Sequence, residues 1–413
     1  MFRNHLNRII VFSMLASLCI VAGCAGFWTS RTDNISTSNF AFVANANFSS
    51  GADGQGFISI FTTNPTTGAL TVAPNVSSGT TGSSSNTLAY SPVAIVTTAG
   101  KFIYTANDGG SVSGFTWDTT TGALTAVPSS PIATVGFNPT ALVVDHTGKF
   151  LYVADSGSML VEAFSINATT GALTLISTTG YTTADYPAGI TVHPTLNVLY
   201  VAINSTGVET FTINADGSLS SGTVTAPLAS GTSQAVLISN NGKFAYIANG
   251  LSAPNGGIEV WNLNATTGLL STAVTGMPSN PIKADDTPAA MVTDPTGSFL
   301  IAVNQNSDDI SFYSMSSTTG VLTMLNGGSP INVVTSSSFT PALSNIAMDP
   351  TGKFVYVTVI DSTPSSGGLG ANTPGVVLFQ LSTSNGGTLT KIAPSTSSDG
   401  IQAGTNPSGI VLP

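Results

Sequence analysis

The 413-residue chain is 42% hydrophobic but only 7% charged, with a formal net charge of −10 and with 43 glycines and 22 prolines. So acidic a balance is a poor host for nucleic acid or for any anion. The abundance of turn formers calls for short strands joined by frequent turns, which is an all-β domain.

At the N-terminus, Arg3 and Arg8 precede an apolar stretch from Ile9 to Val21 that ends in Ala22 and Gly23 before Cys24. This is the layout of a secretory signal. Ile9 to Gly23 is 15 residues, short of the roughly 20 that span a bilayer. Val21-Ala22-Gly23-Cys24 resembles the bacterial lipobox, which implies a lipoprotein signal peptide over 1–23 and a membrane partner reached through lipidated Cys24. An ordinary signal peptide with a coincidental Cys is the alternative. Either way the chain is expected to be exported, and with Ala25 after the lipidated Cys the expected location is the bacterial cell envelope, at the outer membrane or cell surface. Cys19 would leave with the signal, so no intrachain disulfide is expected. Residues 24–38 lack hydrophobic periodicity and read as a flexible tether.

From residue 39 onward two repeat series alternate. One is a hairpin signature, fullest in Thr66-Thr67-Gly68-Ala69-Leu70-Thr71 and recurring around Gly122, Gly171, Gly217, Gly268, Gly320 and Gly387, seven copies in all. The other is best seen from Asn138-Pro139 through Asp145 to Gly148-Lys149-Phe150-Leu151-Tyr152-Val153-Ala154-Asp155, with copies centred on Tyr104, Tyr200, Tyr246, Ile301 and Tyr356 and a partial one at Phe40–Asn45. Each unit therefore predicts strand, tight turn, strand, longer loop, strand, tight turn, strand. Asp-Pro-Thr-Gly at 294–297 and 349–352 suits a type I turn, and Thr-Gly supplies the positive φ of a tight hairpin. Continuous apolar runs such as Phe150–Ala154 are expected of strands buried on both faces.

Seven four-stranded units of about 54 residues predict a seven-bladed β-propeller over 39–413, with a solenoid as runner-up. The chain ends separate the two. The first unit opens at Asn39 already in the second-strand motif, while Pro407–Leu412 is an orphan first strand. Ring closure is predicted, with Pro407–Leu412 beside Phe40–Asn45.

The Gly-Lys-Phe-φ-Tyr-Val-Ala-Asn elements (φ apolar) and the Thr-Gly-Ala-Leu-Thr elements resemble the seven-bladed lactonase family of 6-phosphogluconolactonase-like propellers. They are also similar to the YVTN-type repeats of bacterial and archaeal surface proteins. The resemblance covers 39–413 and implies lactone hydrolysis; no cofactor is expected. It further implies an Arg-His pair after the Pro that opens an inner strand, and a Glu after the second strand. Here the positions after that Pro read Val93-Ala94, Thr140-Ala141, Ala188-Gly189, Ala235-Val236, Ala289-Ala290, Asn345-Ile346 and Ser408-Gly409. After the second strand come Ala46, Asp108, Ser156, Ser205, Gly250 and Gln305, of which only Asp108 is acidic. All three Arg lie before the propeller, and four of its six Lys sit in the repeated turn. A phosphosugar site would need fixed cations.

Two His remain after the signal, His146 and His193, both in tight turns where a solvated role is expected. Glu162, Glu209 and Glu259 each lie two residues before an aromatic of the third strand, at a position taken by Ser59, Ser113, Ser311 and Val377 elsewhere. Two readings stand: each caps its strand by accepting a hydrogen bond from an adjacent loop, or together they form an acidic arc that binds a cation or a hydroxyl-rich ligand. Glu162, Glu209 and Asp108 are the catalytic candidates and Glu162, Glu209 and Glu259 the ligand-binding ones. Asn45, Asn107-Asp108, Asp155, Asn249, Asn304, Asp308-Asp309 and Asp361 gather after second strands and read mostly as turn formers, so no metal is expected. The chain is thus expected to be a monomeric binding or scaffold module for a glycan or protein ligand on its loop face, with a divergent lactonase as the alternative.

Overall fold

The computed structural model describes residues 39–46, 56–73, 91–98, 101–205, 207–220, 222–226, 231–250, 256–334, 341–361, 375–392, 401, 403 and 407–413. The expected signal peptide, Cys24 and the expected tether lie outside these residues. The described chain forms seven antiparallel sheets, each with a four-stranded path, and among the described residues the only helices are two 3₁₀ turns at Asn326–Gly328 and Ser384–Gly386.

Blades 2 to 7 follow the chain. Their inner strands are Pro92–Thr98, Pro139–Val144, Pro187–Val192, Ser233–Ile238, Pro288–Thr293 and Pro341–Met348. Their second strands are Phe102–Asn107, Phe150–Asp155, Val198–Ile203, Phe244–Asn249, Phe299–Asn304 and Phe354–Asp361. Blade 1 is assembled from both ends of the propeller. Pro407–Val411 supplies its inner strand and pairs antiparallel with Phe40–Asn45, with Val43 opposite Ile410 and Ala44 opposite Gly409. Each inner strand touches the next, and Pro407–Val411 touches those of blades 7 and 2, so the ring is closed as the chain ends predicted.

The cores lie between blades. Seven clusters of buried side chains each join two neighbouring blades, and the seam holding the terminal strand is packed like the others, with Ile410 buried among Val43, Phe354 and Tyr356. Second strands such as Phe40–Asn45 and Phe102–Asn107 are buried at every residue. That is why they read as unbroken apolar runs: both faces of the sheet meet another blade.

The Thr-Gly hairpin joins third and outer strands and does more than turn the chain. All seven of its glycines have positive φ. In six blades the ring of the Phe that opens the previous blade's second strand sits where a Cβ would project, and Val198 does so for Gly268. A Cβ on Gly171, for instance, would lie 2.5 Å from Phe102 Cδ1. The same glycine carbonyls accept hydrogen bonds from the buried tyrosines of the previous blade: Tyr104 to Gly171, Tyr152 to Gly217, Tyr200 to Gly268, Tyr246 to Gly320 and Tyr356 to Gly68. The Tyr and Gly motifs are thus two halves of one contact, repeated between blades. Burial pushes each of these phenols well above its ordinary value.

The turn between inner and second strands is built on one carboxylate. Asp294 Oδ1 accepts the N–H groups of Ser298 and Phe299, while Oδ2 accepts Thr296 N–H. Asp145 and Asp349 do the same in their blades. In blade 4 this position is His193, so its solvated reading is corrected. The ring is 3% exposed. Its Nδ1 accepts N–H from Thr195 and Leu196, and Nε2 meets the Gly242 carbonyl of blade 5 at 3.0 Å. Burial lowers its pKa, because the charged ring would lose its hydration; His146 adds to this and the bond to Gly242 opposes it.

Candidate functional site

Antiparallel pairing puts both hairpins of each blade on one face and the second-to-third loops on the other. The straps that lead from one blade to the next inner strand share this loop face. On it, every inner strand is bulged against its second strand, at the residue after its opening position in six blades and at Ser344, three residues after Pro341, in blade 7. A bulge re-aims the extra side chain, and the seven so displayed are Val93, Thr140, Ala188, Gln234, Ala289, Ser344 and Ser408. The register corrects the reading of blades 5 and 7: Ser233 and Leu343 stand where proline stands elsewhere, so the displayed pairs are Gln234-Ala235 and Ser344-Asn345. None of the seven carries a charge. The hydroxyls among them are engaged with the next blade: Thr140 Oγ1 donates to Pro187 O at 3.1 Å, Ser344 Oγ to Pro407 O at 2.6 Å, and Ser408 Oγ to Pro92 O at 2.6 Å.

Outside this rim, the polar residues that end the second strands point into the blades. Asn45, Asn107, Asp155, Asn249 and Asn304 are at most 1% exposed; Asp155 forms its turn as expected, Oδ1 accepting Ser158 N–H at 2.9 Å, while the four Asn bond into the third strand. Asn45 Nδ2 donates to Ser59 Oγ, Asn107 Nδ2 to Ser113 Oγ, Asn304 Nδ2 to Ser311 Oγ and Asn249 Nδ2 to Glu259 Oε1. In blade 4 the equivalent residue is Ile203.

The three glutamates do share one register, opposite Val153, Val201 and Ile247. They are at most 5% exposed, however, so the structure places them inside the blades and not on an open arc. Glu162 accepts N–H from Val135 through Oε2 at 2.7 Å and from Gly136 through Oε1 at 2.9 Å. Burial raises its pKa, the two backbone donors oppose that, and neighbouring Asp155 adds to it. Glu209 accepts Ala184 N–H at 2.9 Å and is likewise raised by burial. Glu259 accepts from Asn249 and from Trp261 Nε1. Asp108 stands apart from them as the exposed first residue after the second strand of blade 2, its N–H bonded to Ser91 O.

One carboxylate near the rim escaped the sequence reading. Asp185 in the strap before Pro187 accepts Ser205 Oγ–H and N–H on Oδ2 and Tyr186 N–H on Oδ1. These bonds, the Ser205 hydroxyl first, hold its pKa below the ordinary range. It falls outside both repeat series, so only its place directly before the Tyr-Pro that opens an inner strand could have marked it. In blade 6, burial pushes Asp308 and Asp309 up to about 6, and Asp309 accepts Asn304 Nδ2 at 2.6 Å. Among the described residues no group of three or more His, Cys, Asp or Glu is placed to hold a metal ion.

Comparison with known proteins agrees with this architecture. The sequence profile of the family described as "Lactonase, 7-bladed beta-propeller" matches residues 54–187 and 187–339. None of the curated proteins is close enough in sequence to count as a relative. Among solved structures, a protein from Lactobacillus plantarum superposes with a TM-score of 0.66 at 19% identity, covering 90% of this chain and 98% of its own. A candidate 6-phosphogluconolactonase from Bacteroides fragilis gives 0.64 at 19% identity, over 91% and 98%. The periplasmic gluconolactonase of Pseudomonas aeruginosa gives 0.63 at 16% identity, over 88% and 97%. Identities this low speak for the fold alone. With the fold closed as a seven-membered ring and the family profile spanning most of its blades, the chain belongs to the seven-bladed β-propeller lactonase family.

Proposed function

We propose that the chain is an exported, lipid-anchored propeller that binds a ligand on its loop face without hydrolysing it. One observation carries this: the seven side chains displayed at the inner-strand bulges are all uncharged, and Thr140, Ser344 and Ser408 among them already bond the next blade. Lactone opening needs a group that takes a proton from water within hydrogen-bond reach of the ring carbonyl. His193 sits in a turn on the opposite face, and Glu162 and Glu209 are engaged with strap backbone. The test is turnover of gluconolactone and 6-phosphogluconolactone by the purified protein. No rate above the spontaneous one is expected, and a rate abolished by substituting Glu162, Glu209 or Asp108 would overturn the reading.

A divergent lactonase is the second reading. Asp185 favours it: a carboxylate near the rim, positioned in the strap that opens blade 4 by Tyr186 N–H and by Ser205. That reading requires turnover that collapses in Asp185→Asn. Anchoring is tested separately, since Cys24→Ser should shift the protein from the membrane fraction to the soluble exported fraction; unchanged membrane association would remove the lipid from the proposal.

A further inference from the structure

Of the seven large apolar side chains left most exposed among the described residues, four lie around blade 3 on the loop face: Val135, Phe137, Met159 and Tyr186. Phe137 is 65% exposed and Tyr186 52%, yet the backbone under each is tied down. Glu162 holds the N–H groups of Val135 and Gly136, and Asp155 holds that of Asn138 at 3.0 Å. The Phe137 ring lies against Gly157, where a Cβ would come within 2.7 Å of Cε2. Beneath Tyr186, Glu209 holds Ala184 N–H, Asp185 holds Tyr186 N–H, and Tyr186 O accepts Asn204 N–H. Two buried glutamates are thereby committed to straps whose outward product is a bare aromatic ring.

An aromatic ring fixed before binding loses little entropy on binding and offers a flat apolar face. Each ring has a polar neighbour in sequence, Asn138 after Phe137 and Asp185 before Tyr186. The described loops and straps of blades 2 to 4 on this face contain Asp108 and Asp185 but no Lys, Arg or His. An anionic ligand is therefore disfavoured, whereas a neutral ring with one apolar face and a hydroxyl rim is suited. The Thr140 to Pro187 hydrogen bond joins the two inner strands just beyond these straps, so chain reach puts the aromatic Cα atoms within about 20 Å. Any separation up to that bound can be bridged by a few linked sugar rings. A protein interface of ordinary size buries about 800 Å² on each partner around a continuous apolar centre, and this arc is interrupted by Asn138 and Asp185.

We propose that Phe137 and Tyr186 are stacking platforms for the sugar rings of a neutral polysaccharide, with Asn138 and Asp185 meeting its hydroxyls and Glu162 and Glu209 acting as positioning residues for the straps. This rests on the binding-module reading and names its ligand class. The experiment is affinity gel electrophoresis of the purified protein through soluble neutral glucans, mannans and galactans, with a carboxylated polysaccharide alongside. At least one neutral polymer should retard the wild type. Phe137→Ala and Tyr186→Ala should each weaken that retardation at least ten-fold with unchanged melting temperature, and Phe137→Trp should keep it. Absence of retardation by every neutral polymer overturns the proposal, as does equal retardation of either alanine variant or tighter binding of the carboxylated polymer. Retardation that survives in the alanine variants leaves the binding-module reading standing while removing this site; lactone turnover removes that reading and leaves the platform to be judged on retardation alone.

Discussion

On the turn face, seven near-identical hairpin glycines meet seven bulky side chains of the preceding blades, and Asp145, Asp294 and Asp349 close the same turn with the same bonds. On the loop face, one position is filled by Ser in three blades, by Glu in three and by Val in one. The straps after blades 2, 3, 5 and 6 share a two-residue strand that pairs with the third strand, but the residues leading from it to the next inner strand differ from blade to blade. Both faces belong to the same blades and rest on the same inter-blade cores. The first spends its side chains on joining blades. The second spends Glu162, Glu209 and Asp155 on holding segments that are individual to their blades. Repetition therefore marks what the ring needs, and departure from repetition marks where a ligand can be told from its competitors.

The largest expected effect tests whether the turn-face contacts suffice without closure. Removing residues 407–413 leaves blade 1 without its inner strand and exposes the seam where Ile410 is buried. A cooperative thermal transition should disappear; a truncated protein that melts like the full one would break the closed-ring account.

Next come two glycines of similar φ, one on each side of the comparison. Gly171 has φ 73° with Phe102 against it, and Gly327, in the strap after blade 6, has φ 66° with nothing within 4 Å. Gly171→Ala should cost about 3 kcal/mol, from backbone conformation and collision together, and Gly327→Ala about 1 kcal/mol from conformation alone. Equal costs by chemical denaturation would show that the inter-blade contact contributes nothing.

The smallest effects should carry opposite signs with pH. The lowered pKa of His193 means its contribution is present above 6.5, its ordinary value, and is lost as pH falls below that. His193→Asp, which places the turn carboxylate of the other blades there, should flatten this acid limb at a cost of about 1 kcal/mol for the lost bond to Gly242. On the loop face Asp308 is pushed up to about 6, from 3.8, so the folded protein takes up its proton first and gains stability as pH falls through that window. Asp308→Asn should remove the gain and raise stability at neutral pH by about 1 kcal/mol, solvent screening of this half-exposed group keeping the figure small. Asn also tolerates the φ of 59° found there. The check is the pH dependence of the melting temperature, and limbs of the same sign would contradict the division between faces.

Much of the fold was legible because each repeat copies a local necessity. Asp-Pro-Thr-Gly closes its turn on its own carboxylate and the next two backbone N–H groups, and Thr-Gly needs only its positive φ. The unequal chain ends announced their own pairing. The candidate site was read less completely. The common register of Glu162, Glu209 and Glu259 followed from counting back from an aromatic, but a strand buried on both faces has no alternation to show which way a side chain points. The bulge residues of blades 5 and 7 slipped by one because Ser233 does not announce a strand start as proline does, and because the blade 7 strand opens at Pro341, two residues before Leu343 takes the place that proline holds elsewhere. Phe137, Asp185 and Tyr186 lie in straps outside both repeat series, where no period applies.

By itself, then, the amino-acid sequence determined the number of blades, the order of strands, the turn chemistry and the closure, since all of these follow from short-range patterns repeated along the chain. Only the tertiary structure decided that the Tyr and Gly motifs are partners in different blades, that Glu162 and Glu209 face inward to hold the straps, and that two aromatic rings stay exposed above them. Those are contacts between residues from 25 to 288 positions apart, and a pattern read along one strand carries no information about which neighbour the ring will set against it.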